Sequence, residues 1–236
     1  MSATTTAAYN EAADIGECKD GINSKRTLVA VERRNAVTLH FIRHAQATHN
    51  AAAEKVGRAA YYDWAHLDAR LTDLGREQAQ GLGATLGTTI DEIQLMVVSP
   101  MSRALETASI AFEQVPSHIP WVALECARER AGNHPCDKRR TRTELKEHFP
   151  HIDWSLIESD SDALWDTLGE DRETDGMMVA RAHDLFEWIR ARPETNIAIV
   201  THSAYLSVLF NKAVRCGEGL QTWFNNAEMR STLMQL

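Results

Sequence analysis

Arg43-His44 sets a fixed cation beside an imidazole at the end of a short apolar run, Leu39-His40-Phe41-Ile42. Arginine clamps oxyanions through its fork of N–H donors, and an imidazole serves as nucleophile or base. Similar chemistry recurs at two other strand-like runs. Residues 93–98 end on Ser99-Pro100, with Arg103 one turn further on, and residues 196–200 end on Thr201-His202. In an open α/β sheet ligands sit beyond the carboxyl ends of the strands. Two arginines and two histidines from three strand ends would therefore converge on one crevice. Such a group suits a phosphoryl group better than a carboxylate, because three equatorial oxygens need partners in the transition state. Taken alone, Arg43-His44 reads as easily as a strand ending on a solvated pair. The other two strand ends shift the balance.

These side chains need a scaffold, and the periodicity of apolar residues describes one. Residues 37–42 form the first core strand, and residues 27–32 an extra edge strand. Residues 51–68 are loop or helix, anchored by two tyrosines and Trp64. Thr72 caps a helix from Asp73 to about Leu86, with Ala79, Leu82 and Leu86 on one face. The strand at 93–98 leads through Pro100, tolerated at a helix start, into a helix ending near Phe112. A short strand at 121–124, a helix at 173–190, a strand at 196–200 and a helix at 203–214 follow, and the tail adds a last strand. Strands alternating with amphipathic helices imply an α/β fold, a three-layer α/β/α sandwich with a mostly parallel central sheet. Residues 1–26 read as an N-terminal arm. Residues 27–236 read as one domain, in which the irregular, charged stretch 127–170 is an inserted cap.

Composition narrows the possible partners. The 236 residues are 44% hydrophobic and 25% charged, as in ordinary globular proteins. A net charge of −8 argues against a general nucleic-acid or membrane surface, so any anion site is a local basic pocket. Cys18, Cys126, Cys136 and Cys216 match neither a zinc pattern nor a Cys-x-x-Cys pair, and read as reduced thiols of a cytoplasmic protein. No apolar run is long enough to cross a membrane. The N-terminus lacks an apolar core and carries Glu11, Asp14, Glu17 and Asp20, unlike a secretory or mitochondrial leader.

Several separated motifs carry a family resemblance, in order, over about residues 37–215. They are Arg43-His44-Ala45 with Asn50 after it, Leu71-Thr72-x-Leu74-Gly75, and Ser99-Pro100-Met101-Ser102-Arg103-Ala104 with Thr107-Ala108. Arg128-Glu129 with Gly132, and Val200-Thr201-His202, complete the set. Together they resemble the histidine phosphatase superfamily, which includes the cofactor-dependent phosphoglycerate mutases and many phosphatases. The resemblance implies that His44 takes the phosphoryl group and that Arg43, Asn50, Arg103 and His202 hold its oxygens; Ser203, next to His202, and His134, which follows Glu129 and Gly132, are further candidates to line the substrate site. It implies that Glu129 protonates the leaving oxygen and then helps activate water. The arginines stand in for a cation, so neither metal nor cofactor is called for. Three positions depart from the family pattern: Ala45 for a glycine, Gln46 for a common glutamate and Ser203 for a glycine. Ala45 requires that the backbone after His44 avoid positive φ.

Cys136-Asp137-Lys138-Arg139-Arg140 and Phe149-Pro150-x-Ile152-Asp153 look like a plant and fungal branch of phosphoglycerate-mutase-like proteins. The basic segment with which mutases grip a bisphosphate is not seen, which favours a phosphatase. The implied function is hydrolysis of phosphate monoesters of small molecules, with inorganic phosphate as product. A phosphoglycerate mutase is the rival enzyme, and an inactive binding module on the same fold is the rival from another class. Oligomeric state is left open.

The remaining residues have plainer readings. His49, His66, His118, His148, His151 and His183 read as surface or capping residues. Lys138, Arg139, Arg140 and Arg142 read as paired with the acids between 158 and 171 rather than as a substrate-reading rim. Of the tryptophans, Trp154 and Trp165 are the candidates to touch substrate. Glu125 and Asp137 are carboxylates near Glu129 without an assigned role, whose amides are expected to behave like wild type.

Overall fold

The computed structural model describes residues 36–236. The arm at 1–26, the strand expected at 27–32 and the domain boundary at 27 lie outside the described residues. Strand β1 (Ala36–Arg43) forms and is followed by helix α1 (Thr48–Val56) and two short 3₁₀ turns, Gly57–Tyr62 and Trp64–His66. Helices α2 (Asp73–Thr85) and α3 (Thr89–Glu92) precede strand β2 (Leu95–Val98), helix α4 (Ser102–Ala111) and strand β3 (Trp121–Ala123). Helices α5 (Arg142–His148), α6 (Ala163–Leu168) and α7 (Asp175–Arg190) lead to strand β4 (Asn196–Thr201). Helix α8 (Ser203–Val208) runs on as a π-helical turn over Leu209–Ala213, followed by α9 (Glu218–Gln221) and strand β5 (Met229–Gln235).

The sheet order is β3-β2-β4-β1-β5. β4 runs parallel to both neighbours, with Phe41 and Val97 flanking Ile199 in register. β5 is antiparallel to β1 and closes that edge. β2 and β4 are apolar without alternation because helices cover both faces of a mostly parallel sheet. On one face α7 and α8 pack Met178, Ala182, Leu185, Leu206 and Leu209 against Leu39, Phe41, Val97 and Ile199. On the other, α2, α3 and α4 pack Leu82, Ile90, Ala104 and Ala108 against Ile42, Met96, Val98 and Val200. This is the expected three-layer sandwich. His40, buried on β1, satisfies both ring nitrogens with Ser231 Oγ at 2.6 Å and Asn196 Oδ1 at 2.8 Å.

Two helix starts set the position of the crevice. Thr72 Oγ1 accepts a hydrogen bond from Gly75 N at 2.9 Å, the expected cap of α2. Gly75 lets that helix start press on the loop after His44, since a Cβ there would sit 2.0 Å from the carbonyl oxygen of Gln46. Helix α4 begins at Ser102 rather than at Pro100. Met101 has no acceptor with which to cap it, so Asp68 does so from a distant loop. Asp68 accepts from Ser102 N at 2.9 Å and from Ser102 Oγ at 2.7 Å, next to Arg103.

The stretch expected to be a cap divides in two. Leu145, Phe149, Ile152, Trp154 and Ile157 enter the core beside α4. Asp153 pairs with β3, donating its N–H to Trp121 O and accepting from Ala123 N. Their apolar spacing was hidden among charged neighbours. The remainder is organised by arginines. Buried Arg128 donates to both oxygens of Asp162, at 2.6 and 2.7 Å. Arg139 pairs with Glu125 at 2.8 Å and donates to the carbonyls of Ser159 and Ser161. Of the basic run only Lys138 meets an acid of the expected stretch, Asp166; Arg139 and Arg140 turn to Glu125 and Asp68, and Arg142 donates to Ile157 O.

Candidate active site

β1, β4 and β2 stand side by side, so their carboxyl ends open on one place. Arg43 ends β1, Ser99 follows β2 and His202 follows β4. A cavity of about 600 Å³ opens there, and Arg43, His44, Asn50, Glu129, His134 and Ser203 all line it. Arg103 and His202 lie against it, with no exposed surface.

The His44 ring is held in one tautomer. Its Nδ1 lies 2.7 Å from the carbonyl oxygen of Ala45, which can only accept, so Nδ1 carries the proton and Nε2 the lone pair. Burial, reinforced by the charges of Arg103 and Arg43, holds its pKa well below the usual imidazole value. The ring is therefore neutral at physiological pH. Arg103 Nε donates to that Nε2 at 3.2 Å, while its Nη1 donates to Cys136 O at 2.6 Å and its Nη2 to Asp137 Oδ1 at 3.1 Å. His202 lies 5.0 Å from His44 between ring centroids, with Nε2 2.7 Å from Ser99 Oγ. Its pKa is also held well below normal, by burial first and Arg103 second. Arg43 donates to Phe224 O at 2.8 Å and lies over the Trp223 ring, 6.0 Å from its centroid.

The departures from the family pattern fit the local geometry. Ala45 is not among the residues with positive φ, and its N–H donates to Thr107 Oγ1 at 3.0 Å. Gln46 accepts from Thr72 Oγ1 at 2.8 Å, joining the loop to the start of α2. Asn50 spends its side chain on this loop, accepting from Ala47 N at 3.0 Å and lying 3.1 Å from His49 Nε2.

Glu129 occupies the N-terminus of α8. Its carboxylate accepts from Arg130 N at 2.9 Å, Tyr205 N at 3.1 Å and Ala204 N at 3.3 Å. The N-cap residue, His202, gives its ring to Ser99 and leaves the helix without a cap of its own. The donors that helix offers are thus already bound by a carboxylate on the cavity wall.

Among the lining residues that sequence reading missed are His49, Asp137 and Trp223, and it misplaced two tryptophans. His49, read as surface or capping, is buried with its ring 6.2 Å from His44, and burial takes its pKa down to about 3. Asp137, read as a bystander, bridges Arg103 and Arg172, the latter at 2.9 Å. Burial pushes its carboxyl up, but the His134 ring 3.7 Å away and the guanidiniums of Arg103 and Arg172 outweigh that and hold its pKa below normal. The tryptophan at the mouth is Trp223. Trp154 and Trp165 are core residues, because their surroundings at 145–165 turn inward. Position in the chain offered one usable signal, the adjacency of His49 to Asn50. Asp137 and Trp223 lie in irregular segments where no period marks a face.

His134, Cys136 and Asp137 place ligand atoms within 4.8 Å of one another, the one such group among the described residues. They do not fit a cation. Both oxygens of Asp137 are taken by guanidiniums, and burial pushes the Cys136 thiol up, away from thiolate. His134 stacks instead on Tyr61, at 5.3 Å between centroids.

A strand-end crevice with paired histidines and arginines agrees with what the comparisons find. The histidine phosphatase superfamily (branch 1) matches residues 39–232. "Phosphoglycerate mutase-like protein" of Arabidopsis thaliana is 35% identical over 230 residues, covering 84% of each chain. "Probable phosphatase" of Schizosaccharomyces pombe is 30% identical, over 74% of this chain and 77% of its own. Among solved structures, phosphoglycerate mutase from Bacillus anthracis superposes with a TM-score of 0.54 at 19% identity, over 86% of this chain and 89% of its own. The chain belongs to the histidine phosphatase superfamily, and within it to the phosphoglycerate-mutase-like proteins.

Proposed function

We propose that this protein is a metal-independent phosphatase that hydrolyses phosphate monoesters of small molecules through a phosphohistidine on His44. The observation that carries the reading is the state of that ring: neutral, protonated on Nδ1 by its bond to Ala45 O, with the Nε2 lone pair accepting from Arg103 Nε at 3.2 Å and released to attack when that donor turns to a phosphoryl oxygen. In-line attack forms the Nε2–P bond and breaks the bond to the alcohol oxygen, while Nδ1–H···O=C steadies the imidazolium that results. Arg43, Arg103 and His202 hold the equatorial oxygens, supplying positive charge and donors where charge develops. Glu129 gives its proton to the departing oxygen and next takes one from water, which displaces inorganic phosphate from Nε2. Arg43 and Arg103 do the work of a cation, so no metal or cofactor takes part.

The described cysteines, Cys126, Cys136 and Cys216, are unpaired, in keeping with a cytoplasmic enzyme. No helix among the described residues is long and apolar enough to cross a membrane. The mutase reading keeps its place because the Arabidopsis relative is named mutase-like.

A screen of phosphorylated metabolites with purified protein tests the proposal directly. Release of phosphate from monoesters, undiminished by a metal chelator and inhibited competitively by vanadate, is the expected result. Loss of turnover in chelator with recovery in Mg²⁺ or Zn²⁺, or transfer between phosphoglycerate hydroxyls without release of phosphate, overturns it.

A further inference from the structure

We propose that Asp137 is the positioning residue of this site: it fixes the Arg103 guanidinium against His44 and ties Arg172 to the same pocket. The inference rests on the phosphoryl pocket proposed above.

Arg103 is fully buried, and an arginine with no contact to water is held wherever its acceptors place it. Nη1 is claimed by a backbone carbonyl, Cys136 O, and Nη2 by Asp137 Oδ1. With both ends of the fork fixed, Nε has one direction left, toward Nε2 of His44. Cys136 and Asp137 belong to one short turn, Pro135–Asp137, and Arg128 Nη2 anchors that turn by donating to Asp137 O at 2.8 Å. The aim of Arg103 is therefore inherited from a rigid turn rather than from its own helix.

Asp137 also carries a charge burden. Its second oxygen binds Arg172, so one buried carboxylate serves two guanidiniums. Without it, two cations would face one another beside a neutral imidazole, with no other carboxylate among the described residues in contact with Arg103. The two would repel, and Arg103 would turn away from His44. Asp137 acts through Arg103 rather than on the leaving group, which separates its role from that of Glu129.

The experiment uses the full chain and two substrates, glycerol phosphate and p-nitrophenyl phosphate, with vanadate as an oxyanion probe. Asp137→Asn should lower kcat/KM by about 10²-fold on both substrates alike, the scale of a misplaced binding group. Vanadate inhibition should weaken with it, and the His44 ring ¹⁵N resonances should shift as the Arg103 donor leaves. Removing the second cation relieves the repulsion, so Asp137→Asn with Arg172→Gln should be more active than Asp137→Asn alone. That double variant also keeps the test alive if Asp137→Asn fails to fold. A loss confined to glycerol phosphate makes Asp137 a proton donor and overturns the inference. So do wild-type kinetics in a folded Asp137→Asn, or a folded double variant that is inactive. If the wild-type protein neither hydrolyses monoesters nor binds vanadate, the phosphatase reading itself has failed.

Discussion

A ring that is buried, neutral and oriented by its neighbour's carbonyl makes His44 the most exposed point of the proposal. His44→Ala should abolish hydrolysis and leave the fold intact, because the ring lines a cavity rather than the core. Labelled substrate should leave an acid-labile, base-stable phosphoprotein in the wild type and none in the variant. Full activity in His44→Ala would end the phosphohistidine mechanism. Glu129 is tested by the leaving group. An alkyl alcohol needs a proton as it departs, whereas a nitrophenolate leaves readily. Glu129→Gln should therefore depress turnover of glycerol phosphate by about 10²–10⁴-fold, the range of general-acid help, and that of p-nitrophenyl phosphate far less. Equal losses on both would assign the proton elsewhere. At this scale the motif residues were legible, because Arg43, His44, Arg103 and His202 sit at the ends of recognisable apolar runs. His49 and Asp137 were not, because a polar residue is drawn into a pocket by tertiary contacts that leave no local period. The carboxylate of Glu129 shows a subtler gap: its segment could be recognised, but not that it would cap α8.

Elements place these groups, and two short devices let them do so. The Thr72 side chain caps α2 with one hydrogen bond. Thr72→Ala should cost about 1 kcal/mol, a fall in Tm of about 2–4 °C in a domain of this size. Because Thr72 also donates to Gln46 of the loop after His44, kcat should fall modestly as well, and thermal melts beside kinetics separate the two effects. Gly132 has φ of +96°, and a Cβ there would lie 2.1 Å from the carbonyl oxygen of Asp171. Gly132→Ala should cost about 1–3 kcal/mol for the strained backbone. It should also lower kcat/KM, since the displaced strand of chain carries Arg172. An alanine variant with unchanged melting and kinetics would contradict the close approach. Strands and the long helices could be read from sequence because burial repeats along them. The stretch at 145–157 could not, since its apolar residues alternate with charges that face outward while it packs on the edge of β3.

For the molecule as a whole, imidazoles that resist protonation because they are buried weigh on the acid side of stability. His44, His202 and His49 all have depressed pKa values, that of His49 down to about 3. As pH falls below about 6.5, the unfolded chain takes up protons on these groups and the folded chain does not. The unfolded state then binds more protons, so stability falls as pH falls, by up to about 1.4 kcal/mol per pH unit for each group. Above pH 7 both states are neutral at these rings and the effect vanishes. Unfolding by urea between pH 7 and pH 5 should show this slope, and His49→Gln should reduce it. A slope unchanged by His49→Gln would mean that the ring is protonated in the folded protein. The net charge of −8 was legible from composition, and so was the need for a local basic pocket within it. The depth of the imidazoles was not, because burial is a property of the assembled layers.

The place of β4 in the sheet has a consequence for biosynthesis. Residues 196–201 lie between β2 and β1, strands that emerge from the ribosome much earlier and do not touch each other without it. A nascent chain that has not yet delivered β4 holds two halves of a sheet with an open seam, and His44 without His202. The seam of the sheet and the pairing of His44 with His202 thus wait on the same late segment, and a chain cut short before it has no finished pocket to release into the cell. The waiting seam presents unpaired strand edges, so synthesis passes through an interval in which the protein is best shielded by a chaperone.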